Sequence, residues 1–530
     1  LPAALIALLG LSALVFATDR NSKLEQRYRR WAEDATKERE ELTQKILNDM
    51  QVLQSGQTNK TLDELIPPDD KRRVNLDQAS TSARLYYEKL IALNPNEPEY
   101  RYHFANECAN SKSKSDFQRG LSLMETLAPL NQTGFPKAHR WWAEYYRSLM
   151  QLNKFKPEQI ATVIYSHAEN CLKRESGDTK ALILKGESAE ILGRNDDAYQ
   201  AYMTLFETDP FYYEKLITLH DRMKRPEANR EVFFLAKGRF ESRLLSRQEA
   251  DEMSVDQWCR HWEAFVGCLV GMEDFTTAQE KLEAEVKRQT EDKDYSKQVF
   301  LKQLLAKVLV ANQRKQSSNS LVFSDSDLDL IKKAKANDSK NVEVLQILTR
   351  MALSDQKDIS DEAKKEYDPT TETDPPALVL AELGTVALAK KEYQKAITYM
   401  EKARSKQPND WIALNNLAYV YLVADTRNPE RALKLVDEAI RKIPNPDVAK
   451  KVMTNFLDTK GAALMQLNRM PEAIAAFEMA LKDRPDNIKI LENLIKCYEA
   501  SNLSADVYKE RLKQEQERLK NDGLKTPAEK

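Results

Sequence analysis

The sequence predicts an all-α protein built as a solenoid of stacked helical hairpins, and three observations predict it. The first is composition. Thirteen glycines stand against 81 Lys+Arg and 83 Asp+Glu in 530 residues, too few turn residues for a chain rich in strands. The second is internal repetition. Residues 377–410 align without a gap on 454–487, placing Leu380 on Leu457, Gly384 on Gly461, Ala396 on Ala473, Met400 on Phe477, Ala403 on Ala480 and Pro408 on Pro485. The third is periodicity: within each copy apolar residues recur three and four apart, the spacing of one helix face. The chain is also too long for a single core, so several domains or one long stack is expected.

Between the two copies, 411–446 carries Leu414, Leu417, Ala418, Tyr421, Ala432, Val436, Ala439 and Pro444. It fits the same template once a two-residue insertion near Asp425–Asn428 is allowed. Gly384, Ala418 and Gly461 stand where the first helix of each unit must let its neighbour approach, and Ala396, Ala432 and Ala473 do the same for the second. Pro408, Pro444 and Pro485 fall just beyond the second helix, where a residue lacking an N–H ends a helix at little cost. One hairpin cannot bury its own apolar face, so units must stack. A 34-residue period with large, small and proline positions in this order resembles the tetratricopeptide repeat family. The resemblance holds best over 377–487 and 179–212 and is degenerate elsewhere; it implies a right-handed α-solenoid.

Taken in order, the chain opens with Leu1–Ala17, a run without charge. Two readings stand: the apolar core of a secretory signal, with Val15 and Ala17 as small residues before a cleavage site, or an uncleaved membrane-anchor helix. Both place the protein at a cell envelope, exported or membrane-anchored, and the favoured orientation puts its bulk outside the cytoplasm. Arg20, Lys23, Arg27, Arg29 and Arg30 follow the run and leave the orientation open. Residues 18–77 read as a charged stem helix and linker. Leu24, Tyr28, Trp31, Ala35 and Leu42 form one seam over 19–53, either a coiled-coil stem that makes a homodimer or an ordinary first helix packed on the stack. Gln54–Asp77, with Pro67-Pro68, reads as the linker. Residues 78–353 read as degenerate helical repeats. The clearest is 179–212, where Leu182, Gly186, Ala189, Ala198, Tyr202 and Pro210 keep the template and Gly193 marks the turn. Polar stretches at 313–326 and 354–376 read as loops, the second as a linker and domain boundary. Residues 377–521 then form the regular repeats with a strongly charged capping helix.

The near-zero net charge, −2, argues against a protein that binds nucleic acid by neutralising phosphates. The five cysteines are scattered and form no disulfide framework. Neither a dinucleotide nor a phosphate-binding glycine pattern occurs, and no H-E-x-x-H. Cys259, His261 and Cys268 are the nearest approach to a metal set and lack a fourth ligand. No cofactor, metal or catalytic residue is expected. An enzyme with its site in 227–354 is the rival reading from another class, and a self-assembling envelope component is a third.

The family resemblance implies that the first helices of successive units line a concave groove holding a segment of a partner protein. Carried onto this chain, the groove positions are Leu378, Ala381, Thr385 and Leu388, then Ile412, Asn415, Tyr419 and Leu422, then Asn455, Asp458, Ala462 and Met465. Asn and Tyr there hydrogen-bond a peptide, while Leu, Ile and Met take apolar side chains. Asn416 matches one position of the subclass that grips chaperone C-terminal carboxylates, but Ala381, Thr385, Asn455 and Thr459 stand where its remaining Lys, Asn and Arg are needed, so a carboxylate has no cation to meet. Upstream, Trp141 and Tyr145 are the surface candidates of an aromatic cluster whose other members, Trp142 and Tyr146, fall on core positions.

Overall fold

The computed structural model describes residues 2–54, 70–150, 156–317, 322–444 and 446–521, with only the helical backbone described for 2–19. Helices dominate, and no strand occurs among the described residues. They divide into two compact units, Leu1–Ser242 and Arg243–Lys530.

The first unit begins with one long helix, Pro2–Gln54. The side chains of the uncharged run at 1–17 lie outside the described residues, so its two readings stand as sequence readings only. Among the described residues no helix is long and apolar enough to cross a membrane. Within 18–77 the structure matches the second of the two readings of the helix, a first helix packed on the stack. That helix packs along the next one, Lys71–Leu93, which starts where Asp70 accepts a bond from the Arg72 N–H at 2.8 Å. Alanines 32 and 35 let the two helices approach and join a buried cluster with Ala83, Tyr87, Leu90, Tyr100, Phe104 and Cys108. Polar contacts lock the same joint. Tyr100 donates to Glu25 at 2.6 Å, and Arg39 Nε lies 3.1 Å from the buried Glu107 carboxylate. Ala35 of the seam is thus buried against the chain's own next helices and Tyr28 packs there partly buried, while Trp31 stays 42% exposed; the helix is the first layer of the stack. What remains of the linker, 55–69, lies outside the described residues.

Hairpins follow: Pro98–Ala109 with Lys114–Leu127, Pro136–Met150 with Pro157–Leu172, and Thr179–Ile191 with Asn195–Thr208. At Gly186 an added Cβ would fall 2.5 Å from the Tyr202 ring, so the template's small position is a true close approach.

In the second unit the regular repeats are four hairpins: Ala377–Ala389 with Tyr393–Lys406, Trp411–Val423 with Pro429–Arg441, Pro446–Gln466 with Met470–Asp483, and Ile488–Ala500 with Asp506–Asn521. From Tyr393 on, the second helix of each packs on the first helix of the next. The pattern of small residues explains the packing. A Cβ at Gly384 would meet Met400 at 2.5 Å, and one at Gly461 would meet Phe477 at 2.6 Å. The insertion at 425–428 is the turn inside the second hairpin, where Asn428 caps the next helix through the Arg431 N–H at 3.0 Å.

The expected linker at 354–376 differs. It holds a helix, Lys357–Glu366, with Ile359, Ser360 and Ala363 buried against Val342–Ala352. Ile359 and Ala363, one turn apart, give this polar stretch a narrow apolar stripe, and Ser360 donates to the Ala352 carbonyl at 2.7 Å. The boundary placed there thus lies inside the second unit.

One turn recurs through both units. Gly193, Glu273, Lys391, Asn468 and Asn502 have φ of +70°, +62°, +60°, +59° and +56°. Each sits just past a helix end, and the next N–H closes back on that helix: Arg194 to Ala189 at 2.9 Å, Glu392 to Ala387 at 2.8 Å and Arg469 to Leu464 at 2.9 Å. This left-handed cap satisfies carbonyls that the helix end leaves open.

Candidate protein-binding groove

In the second unit the first helices of successive repeats touch directly: Trp411–Val423 meets Pro446–Gln466, and that helix meets Ile488–Ala500. The side chains on their shared side therefore form one continuous surface. Two of the three start at a side-chain cap, Asp410 accepting from the N–H groups of Ile412 and Ala413 at 3.0 Å, and Asn487 from Ile490 at 3.2 Å.

On this surface Ile412 is 52% and Tyr419 37% exposed, while Asn415 between them is only 9% exposed. The buried Oδ1 of Asn415 has no hydrogen-bond partner, and neither has Oδ1 of Asp458, which occupies the matching place in the next repeat. Burial pushes the Asp458 carboxyl above its ordinary pKa, against the pull of Lys489. Lys489 Nζ stands 3.7 Å from Asp458 Oδ2 and 5.1 Å over the centre of the Tyr419 ring. Three successive first helices thus contribute a ring, a carboxylate and an ammonium to one spot.

The other sequence-derived groove residues are placed as follows. Leu378 is half-buried and Thr385 exposed, the Thr385 hydroxyl donating to the Ala381 carbonyl of its own helix at 3.0 Å. Asn455 is exposed. Beside the first repeat, buried Glu382 accepts from Arg350 at 2.8 and 3.0 Å and from Gln346 at 2.9 Å. That bond set ties Ala377–Ala389 to Val342–Ala352. Sequence reasoning named neither Lys489 nor Glu382. The alignment ended at Asn487, so the register that would have singled out Lys489 stopped two residues short; for Glu382 no signal existed.

Trp141 and Tyr145 belong to the first unit. Both are half-buried and stack on each other at 5.2 Å, with Trp141 Nε1 donating to Asn106 at 3.0 Å. Trp142 is buried, as its template position implies. Beside it lies a pair that sequence reasoning did not find: His139 and His167, both buried, with Nδ1 atoms 2.9 Å apart.

His261 Nδ1 donates to the Gln257 carbonyl at 2.7 Å. One cluster of metal-type donors occurs among the described residues, and it is a different set, Cys171 with Glu175 and Asp178. Asp178 caps a helix through the Ala181 N–H at 2.9 Å and pairs with Arg140 at 2.5 Å, while burial pushes the Cys171 thiol up to about 12.

Residues 360–446 match the family model described as tetratricopeptide repeat. No curated protein matches the chain. Among solved structures, the crystal structure of the APC/C hetero-tetramer Cut9-Hcn1 is similar over 89% of this chain and 96% of that one, at 16% identity and a TM-score of 0.31. The structure of Naa15/Naa10 bound to HypK-THB is similar over 93% of this chain and 99% of that one, at 12% identity and a TM-score of 0.30. Neither score is high enough to assign the fold or the function of this chain.

Proposed function

We propose, from the tetratricopeptide repeats at 360–446, that the protein is a non-enzymatic scaffold that holds segments of other proteins against the first helices of its C-terminal repeats. One observation carries this reading. Asn415 and Asp458, on matching turns of neighbouring first helices, each hold a buried side-chain oxygen with no hydrogen-bond partner, beside exposed Ile412 and Tyr419. Buried polar groups without partners are costly and uncommon in a finished core. An exposed aromatic beside them is the usual composition of a recognition surface. Asn455 lies on the same first helix as Asp458, and Leu378 and Thr385 lie on the first helix of the repeat before that of Asn415.

The test is co-purification of partners with wild type and with Asn415→Ala/Tyr419→Ala. The expected outcome is loss of most partner recovery, about tenfold or more for an interface whose central anchor is removed, with thermal unfolding unchanged. Equal recovery from both proteins contradicts the reading. We extend the proposal to location: the uncharged run at 1–17 supports export or membrane tethering, tested by sequencing the N-terminus of the mature chain and fractionating it with or away from membranes.

A further inference from the structure

Granted that the groove holds a partner segment, we infer that the segment presents an arginine whose guanidinium lies over Tyr419 and bonds the Asp458 carboxylate, displacing Lys489. The spot already holds a cation, and holds it poorly. Lys489 Nζ is 3.7 Å from Asp458 Oδ2, beyond hydrogen-bond reach, and Oδ1 is buried without a partner. The Asp458 side chain is thus nearly four-fifths withdrawn from water, 21% exposed, with a charge nearby but no donor in place. A second ammonium would repeat what Lys489 does. A guanidinium differs: it is flat, carries five N–H donors in a fork that matches a carboxylate, and stacks on an aromatic face. Tyr419 supplies that face, since Lys489 already lies 5.1 Å over its ring.

Displacement is easy on the chain's side. Lys489 is 55% exposed on a flexible four-carbon stem, and its ammonium is fully solvated once it swings out. Ile412, on the turns before Tyr419 and 52% exposed, offers an apolar contact to the residue flanking the arginine.

The experiment selects random twelve-residue displayed peptides on the full-length chain and counter-selects on Asn415→Ala/Tyr419→Ala. Expected are peptides sharing one arginine. Its replacement by citrulline weakens binding about tenfold or more; Asp458→Asn removes most of that difference, and Lys489→Ala tightens binding. Circular dichroism of both variants checks that they fold, and Lys489→Ala, a surface change, reads out the displacement even if Asp458→Asn does not. Peptides that need the groove but lack arginine, carry a recurrent Asp or Glu, or bind equally with citrulline overturn this inference and leave the groove reading standing. Absence of any peptide that distinguishes wild type from the groove variant overturns both.

Discussion

Among single residues, His139 and His167 make the sharpest physical statement outside the groove. The Gly134 N–H donates to His139 Nε2 at 3.0 Å, which places the His139 proton on Nδ1 and makes His167 Nδ1 the acceptor. The His167 ring stacks on Trp142 and Tyr146 at 6.1 and 6.2 Å. Burial, and then the neighbouring His139, hold the His167 pKa down to about 3; burial lowers that of His139 as well. An unfolded histidine titrates near 6.5, so the unfolded chain binds protons first. The stability of the neutral pair is complete above about pH 6.5 and declines as pH falls toward about 3, by about 2 kcal/mol at pH 5 for His167 alone. Unfolding midpoints measured from pH 7.5 to 5 should fall, and His167→Gln should flatten that slope; an unchanged slope contradicts the assignment. Nothing in the sequence announced the pair, because its members lie on two helices that only the packing brings face to face. The glycines were legible for the opposite reason, since their spacing recurs. Gly461→Ala drives a methyl into the buried Phe477 ring and should destabilise, the overpacking of about 1–3 kcal/mol outweighing the better helix propensity of alanine. Gly238, with nothing within 4 Å of its added Cβ, should gain up to about 1 kcal/mol from the same change. Chemical denaturation of the two variants checks the contrast.

For helices and turns, the repeats at 377–487 could be read because Gly, Ala and Pro mark positions where packing and termination leave little choice. The turns could be read only in part. Gly193, Asn468 and Asn502 are left-handed caps of residue types that favour the conformation; Lys391 and Glu273 adopt the same φ without any residue-type mark, because the closing bonds are between backbone groups. The helix at 357–366 was hidden by its charge, its apolar content reduced to a stripe of Ile359 and Ala363. The long first helix was legible as a helix but not in its destination, since a seam that fits a dimer fits an intramolecular neighbour equally well. Arg39 and Glu107 decide between them. The Glu107 side chain is 1% and that of Arg39 14% exposed, and Ser80 donates to the same carboxylate at 3.2 Å. Arg39→Ala leaves a buried carboxylate without its cation and should lower stability by about 3 kcal/mol. A free stem would show no change in the unfolding midpoint.

Across the whole molecule, the chain's two units share one hairpin logic but differ in regularity, and the division falls at 242 and 243 rather than at the polar stretch before Ala377. Composition gives no sign of it, because 354–376 has the makeup of a linker and 242 and 243 lie within an ordinary charged helix, Asn229–Leu245. The fold class, by contrast, followed directly from a period that only stacking explains. The groove positions came from that period together with the family resemblance, and the structure adds the unbonded oxygens and Lys489 that give them chemistry. The central claim is that partners lie on the first helices and not on the second. Site-specific photo-crosslinking tests it most directly. Ile412 on a first helix and Met479 on a second are both 52% exposed, so a benzophenone side chain at either is equally available. Partner adducts from position 412 with few or none from 479 are the predicted result; adducts from 479 with none from 412 would contradict it.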